Sequence, residues 1–112
     1  MATYPIDPDV RRIAGRFGVD PKLIQAVVIA EGNIIKAVQC SIPSVTTKEQ
    51  ALEITCRSAC HALSDYVKTS DPNGFVQFWA ARWAPQGVAN DSHSLNAHWS
   101  SNVTRAWNVV AI

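Results

Sequence analysis

Residues 20–32 read Asp-Pro-Lys-Leu-Ile-Gln-Ala-Val-Val-Ile-Ala-Glu-Gly, an apolar run with a lone carboxylate at its end. Asp20 is a typical helix cap, and Pro21 suits the first helical position because it has no N–H to leave unpaired. Gly32 fits a left-handed stop. The stretch therefore predicts one oily helix that is bounded at both ends.

Glu31 is the chemically informative residue of this helix. Counted in helical steps, it shares a stripe with Val28, Val27 and Ile24, and no Lys or Arg lies three or four residues before it. Lost hydration disfavours the ionised form, and the negative end of the helix dipole acts in the same direction, so we expect a raised pKa for Glu31. An acid still protonated near neutral pH can donate a proton, as cleavage of a glycosidic bond requires. The alternative is a solvated helix end.

The rest of the chain also reads as helices between marked stops, with little strand-like alternation. The predicted helices run from Asp7-Pro8 to near Gly18, from Asp20-Pro21 to Gly32, from a capping box at Thr47–Gln50 to about Lys68, from Asp71-Pro72 to Pro85, and from about Leu95 to Val110. Residues 33–46 and 84–94 are predicted loops. The apolar stripe of the long helix is predicted at Leu52, Cys56, Ala59, Leu63 and Val67. The prediction is an all-α fold of about five helices.

Length and composition describe one domain over residues 1–112. The chain has a mass of 12.2 kDa, and 47% of its residues are hydrophobic and 17% are charged. This composition indicates a packed core rather than disorder. A formal net charge of +1, with basic residues scattered apart from Arg11, Arg12 and Arg16, argues against nucleic acid as the main partner. The first residues lack the pattern of a secretory signal, and no apolar run approaches the roughly 18 residues that span a membrane. We expect no membrane insertion, no cofactor and a monomer.

Two segments carry a family resemblance. Residues 16–21, Arg-Phe-Gly-Val-Asp-Pro, followed by the apolar helix and Glu31-Gly32, resemble the opening of the soluble lytic transglycosylase and goose-type lysozyme domains. The second segment is similar to a stretch seen in lysozyme-like proteins of phages and bacteria, through Ala81–Pro85, Asn90-Asp91, Leu95-Asn96, Trp99 and Asn102-Val103. The chain departs from the transglycosylases after Glu31, where residues 32–40 lack their Gly-Leu-Met-Gln-like motif.

The resemblance implies a small lysozyme-like domain that cleaves the β-1,4 MurNAc–GlcNAc bonds of peptidoglycan. Its catalytic glutamate matches Glu31, which would protonate the leaving oxygen. The remaining step has two forms: attack by the substrate's acetamido group, or a second acid that positions water, roughly 6.5–9.5 Å from the first in an inverting enzyme. Asp91 is the candidate for that second acid, and its alternative reading is a turn or helix-cap residue. Because the first residues lack a signal pattern, we expect a phage-type lytic protein released by other means, or a domain of a larger polypeptide.

Aromatic and amide side chains are candidates for sugar contacts. Trp83 lies beside the Pro85 break and is expected to line a groove, with Trp99 as a second aromatic contact, whereas Trp79 and Trp107 are expected in the core. Asn90 and Asn96 are predicted to bind acetamido groups, with satisfaction of loop backbone as their alternative role.

Two other readings compete. The first is a metal site, whose candidate ligands are Cys56, Cys60 and His61, with Cys40, His93 and His98 elsewhere in the chain, but their spacing is not that of paired zinc ligands, so no metal is predicted. A disulfide from Cys40 to either helix cysteine stays open. The second reading is a non-catalytic lysozyme-like module that binds glycan or packs into a phage particle, and that would need no raised pKa at Glu31.

Overall fold

The computed structural model describes residues 3–69, 74–84 and 95–111, and for residues 95 and 96 it describes the backbone alone. The predicted all-α class is confirmed, and the described residues form no strand beyond an isolated bridge between Tyr4 and Val110. The helices are α1 (Pro8–Phe17), α2 (Pro21–Glu31), α3 (Ile34–Gln39), α4 (Lys48–Tyr66), α5 (Phe75–Trp83) and α6 (Trp99–Trp107), with a 3-10 helix at Leu95–His98.

Three predicted helix starts are confirmed by their caps. The side chains of Asp7 and Asp20 each accept a hydrogen bond from the backbone N–H two residues later, at 2.8 and 2.9 Å. Thr47 and Gln50 form the reciprocal capping box, in which each side chain accepts from the other residue's N–H. These bonds satisfy backbone donors that the first turn of a helix leaves unpaired.

The predicted loop at residues 33–46 is wrong over its first part, because α3 occupies Ile34–Gln39. Asn33 caps this helix by accepting from the N–H of Lys36 at 3.1 Å. Ile34 and Val38, four residues apart, are buried on the same face. A six-residue helix is too short to be stable alone, so its packing on the core stabilises it.

The boundaries of the last two predicted helices also change. Helix α5 begins at Phe75, and Gly74 before it has a φ of 89°, which is not helical; the predicted start at Asp71-Pro72 lies outside the described residues. The final helix ends at Trp107 instead of Val110. The backbone of Tyr4 then pairs with the chain on both sides of Val110, which holds the two ends of the described chain together.

The predicted apolar stripe of α4 is partly wrong. Leu63 and Val67 are 45% and 70% exposed, while Ala62 is buried. The helical period of 3.6 residues rotates the buried face, which continues from Ala59 to Ala62. Beyond that turn α4 meets α5 through Tyr66, whose ring contacts two phenylalanine rings of α5.

Helix α2 lies at the centre of the packing. Four consecutive residues, Ile24, Gln25, Ala26 and Val27, are buried, which covers a full helical turn, and α2 contacts α1, α3, α4 and α6. The one polar member, Gln25, accepts a hydrogen bond from the N–H of Asp7 at 2.9 Å. Among the described helices, none combines the length and the apolar character needed to cross a membrane.

The cap of α2 gives a stability prediction. We expect Asp20→Ala to lower the free energy of unfolding by about 1 kcal/mol, because the N–H of Lys22 loses its acceptor. Asp20→Asn should be close to wild type, since Asn keeps that bond. Urea denaturation measures both variants, and an equal loss in the two would assign the effect to the charge instead of the cap.

Candidate functional site

Glu31 lies at a corner between two helices. It is the last residue of α2, and Gly32 follows with a φ of 75°, a conformation that residues with a side chain rarely adopt. The chain then enters α3 at the Asn33 cap. This reversal leaves the Glu31 carboxylate half-buried at the edge of the core.

Two tryptophans hold the carboxylate. The indole Nε1–H of Trp99 donates to Oε1 of Glu31 at 2.7 Å, across 68 residues of chain, and a smaller hydrogen-bonding contribution from Trp83 also lowers the pKa of Glu31. Trp99 comes from α6 and Trp83 from α5, so the site joins three helices. Trp99 is only 5% exposed, whereas Trp83 is partly open to solvent.

The two indoles belong to a larger aromatic cluster. The ring centre of Trp79 lies 5.8 Å from that of Trp83 and 5.4 Å from that of Trp99, both edge-on, and Trp83 and Trp99 are 6.4 Å apart. Trp79 is fully buried and donates to Oγ of Ser58 on α4 at 2.9 Å. Because every indole in this cluster packs on the others, the two donors are fixed in front of Glu31.

Burial sets the protonation of Glu31. The pKa of Glu31 is raised above its ordinary value of 4.5, chiefly because burial removes water from the charged form, while the hydrogen bonds from Trp99 and Trp83 act in the opposite direction. Within the described ranges, none of the ion pairs includes Glu31. The direction of the shift predicted from the sequence is confirmed.

The partners of Glu31 also determine where its proton can go. An indole N–H is a donor only, so neither tryptophan can accept a proton from the acid. A proton on Glu31 is therefore available to a ligand or to solvent, and not to these two neighbours. This is the arrangement that a general acid needs.

Trp83 also lines a groove. It has a volume of about 210 Å³ and mixes polar with apolar walls; its lining residues are Ala37, Val38, Ser41, Ile42, Ile54, Ser58, Arg82 and Trp83. Trp83 thus forms the wall shared by the carboxylate and the groove. Trp83 lines a groove as expected, and its contact with a sugar stays a prediction.

The other predicted site residues are placed as follows. Asn90 and Asp91 lie outside the described residues, and Asn96 lies in the 3-10 helix that leads to Trp99. The indole N–H of Trp99 is engaged by Glu31, and a sugar contact by the Trp99 ring stays a prediction. Sequence reasoning gave no role to Ser58 or Arg82: Ser58 is distant from Trp83 in the chain, and the position of Arg82 directly before Trp83 does not by itself indicate a groove.

The core assignments and the thiols have separate outcomes. Trp79 is in the core as expected, whereas Trp107 is half-buried, with the ammonium of Lys22 at 4.5 Å from its ring centre. Cys40, Cys56 and Cys60 are free thiols, and burial raises the pKa of Cys56 to about 11. In the described part of the chain, no group of three or more His, Cys, Asp or Glu residues is placed to hold a metal ion.

The hydrogen bond from Trp99 to Glu31 gives a prediction for the pKa of Glu31. Trp99→Phe removes the N–H that stabilises the Glu31 carboxylate but keeps an aromatic ring, so the pKa of Glu31 should rise further. The measurement is a pH titration of the Glu31 side-chain carboxyl ¹³C resonance by NMR. Trp107→Phe is the matched control and should leave that titration unchanged; a fall of the Glu31 pKa in Trp99→Phe would contradict the assignment.

The raised pKa of Glu31 predicts how the stability of the folded protein depends on pH. Because the folded state raises the pKa of Glu31, it binds this proton more tightly than the unfolded chain, and wild-type stability falls as pH rises from about 4.5 to the raised pKa. Glu31→Gln is neutral throughout, so it should gain on wild type over that window, by at most about 1.4 kcal/mol for each pH unit.

Asp65→Asn is the control for this pH dependence. The hydrogen bond from Arg82 lowers the pKa of Asp65 below its ordinary value of 3.8, so its stabilising contribution is lost only below that pH. Denaturant unfolding of the three proteins at intervals from pH 4 to pH 8 measures both differences. A constant difference between Glu31→Gln and wild type would show that Glu31 has an ordinary pKa.

Comparison of the chain with models of protein families, with curated proteins and with solved structures finds no match. The chemistry of Glu31, the indoles of Trp99 and Trp83 and the adjoining groove is therefore the basis for a function.

Proposed function

We propose that this protein is a peptidoglycan-degrading glycosidase that cleaves the β-1,4 MurNAc–GlcNAc bond, with Glu31 as the general acid. The observation that carries the proposal is the half-buried Glu31 carboxyl, whose pKa is raised by burial and whose two tryptophan partners can only donate hydrogen bonds. A glycosidic oxygen is a poor leaving group until it is protonated, and an acid of this kind supplies the proton.

The surroundings of Glu31 support a carbohydrate substrate. Trp83 presents a partly exposed aromatic ring beside the acid, and the groove behind it has hydroxyl groups among aliphatic side chains. Sugars have the same mixture, with apolar C–H faces and a rim of hydroxyl and acetamido groups. The likeness of residues 16–32 to the lytic transglycosylases and goose-type lysozymes makes peptidoglycan the substrate of choice.

The positive ring carbon is stabilised in one of two ways. In the first, the acetamido group of the substrate attacks the carbon, and Glu31 is sufficient as the protein's acid. In the second, Asp91 positions water for hydrolysis, with Asn90 and Asn96 as acetamido contacts. A protein of the phage type, acting on the bacterial wall, is consistent with either route.

A non-catalytic module is the second candidate, and one observation favours it. Glu31 links α2 to α6 by accepting the hydrogen bond from Trp99, with Trp83 of α5 beside it, which is a structural role that needs no reaction. The absent Gly-Leu-Met-Gln-like motif points the same way. In that case the aromatic surface binds glycan, or packs within a phage particle, without cleaving it.

Activity measurements separate the two candidates. Glu31→Gln should reduce release of soluble fragments from purified peptidoglycan at least about a hundredfold, since the proton donor is lost while the shape of the side chain is kept. Glu49→Gln is the matched control, because Glu49 is an exposed residue of α4 that pairs with Arg12. Equal activity in Glu31→Gln and wild type, with circular dichroism showing both folded, would disprove the assignment of Glu31.

Mass spectrometry of the wild-type products then identifies the route. Reducing-end muropeptides indicate a lysozyme, and anhydro-sugar ends indicate a transglycosylase in which the acetamido group attacks. Folded wild-type protein that releases no fragment from walls of several chemotypes would favour the binding module.

A further inference from the structure

The groove beside Trp83 has a distinct charge pattern. The described residues that line it come from α3, the turn after it, α4 and α5, and Arg82 is the one charged side chain among them. None of these described lining residues is acidic. The groove therefore favours a ligand that combines an apolar surface, hydrogen-bonding groups and a negative charge.

Arg82 is held in place by two contacts outside the groove. Its Nη1 donates to Oδ2 of Asp65 at 2.7 Å, and the guanidinium lies 4.8 Å from the ring centre of Phe78. A guanidinium has five N–H donors in a rigid planar fork, of which the bond to Asp65 uses one. The same fork can therefore engage a carboxylate of a ligand in the groove.

Ser58 adds a hydroxyl to the same wall. Its Oγ accepts the indole N–H of Trp79 at 2.9 Å, so the hydroxyl is anchored through its lone pair and keeps its own hydrogen for another acceptor. Trp83 contributes an aromatic face that is shared with the Glu31 site. A sugar on Trp83 would therefore place its substituents toward Ser58 and Arg82.

We propose that Arg82 is a specificity-determining residue that binds a carboxylate of the substrate, so that the groove selects carboxylate-bearing peptidoglycan over neutral amino-sugar polymers. This inference rests on the proposed function, because it assigns the groove to the same glycan. The carboxylate has two sources: the stem peptide of an intact strand, and the lactyl group of a strand from which the peptide has been removed. Chitin-type oligomers share the acetamido sugars and have neither.

The test is a binding measurement that needs no cleavage. The three probes are the GlcNAc–MurNAc–tetrapeptide, the bare GlcNAc–MurNAc disaccharide and chitobiose, none of which contains the MurNAc–GlcNAc bond proposed to be cut. Titrations followed by ¹H–¹⁵N NMR report the indole N–H of Trp83 and the Nε–H of Arg82. We expect the carboxylate-bearing probes to bind more tightly than chitobiose and to shift both resonances.

Variants of the ion pair distinguish recognition from structural support. Arg82→Gln should weaken binding of a carboxylate-bearing probe about tenfold, the scale of one charge-assisted contact, and leave chitobiose unchanged. Asp65→Asn breaks the same ion pair but frees the guanidinium, so it should bind that probe as tightly as wild type or more tightly. A purely structural role of the pair predicts the same loss in both variants and for all three probes.

The outcomes keep the two proposals apart. A loss confined to the tetrapeptide probe supports recognition of the stem peptide, and a loss confined to the bare disaccharide supports recognition of the lactyl group. Equal affinity of Arg82→Gln and wild type for every probe would overturn the role of Arg82, even if the wall is cleaved. Selective binding by wild type without any cleavage would overturn the proposed reaction and leave the role of Arg82 intact.

Discussion

Burial of α2 is the constraint on which the rest of the structure depends. A helix with four consecutive buried residues has no face to give to water, so other helices must cover it on several sides. The end of such a helix is necessarily close to the core. Glu31 is desolvated for this reason, and its raised pKa follows from the packing that stabilises the fold.

The tryptophans oppose the effect of that desolvation on the pKa of Glu31, and they do so without placing a positive charge beside the carboxylate. A cation beside Glu31 would hold the carboxylate charged, whereas an indole N–H gives a hydrogen bond and no net charge. The result is an acid whose charged form is supported by hydrogen bonds while its protonated form is favoured by burial. A group that passes a proton to a substrate has to exist in both forms.

The aromatic cluster joins the acid to the groove. Trp79 packs edge-on against both Trp83 and Trp99 and is anchored to Ser58, so two residues of the groove lining, Ser58 and Trp83, belong to the same packed set of side chains as Trp99, the donor to Glu31. Arg82 is the residue directly before Trp83 on α5. Helix α5 therefore carries both Arg82, which lines the groove, and Trp83, which lies beside Glu31 of α2.

The sequence by itself determined the helical class, the caps at Asp7, Asp20 and Thr47, and the isolation of Glu31, because these depend on neighbours within a few residues. It missed α3 and the rotation of the buried face of α4, which depend on packing. Only the tertiary structure brought Trp99 to Glu31 across 68 residues and put Arg82 and Ser58 on one wall. Contacts between distant segments follow from how the helices cross, and no local pattern encodes that geometry.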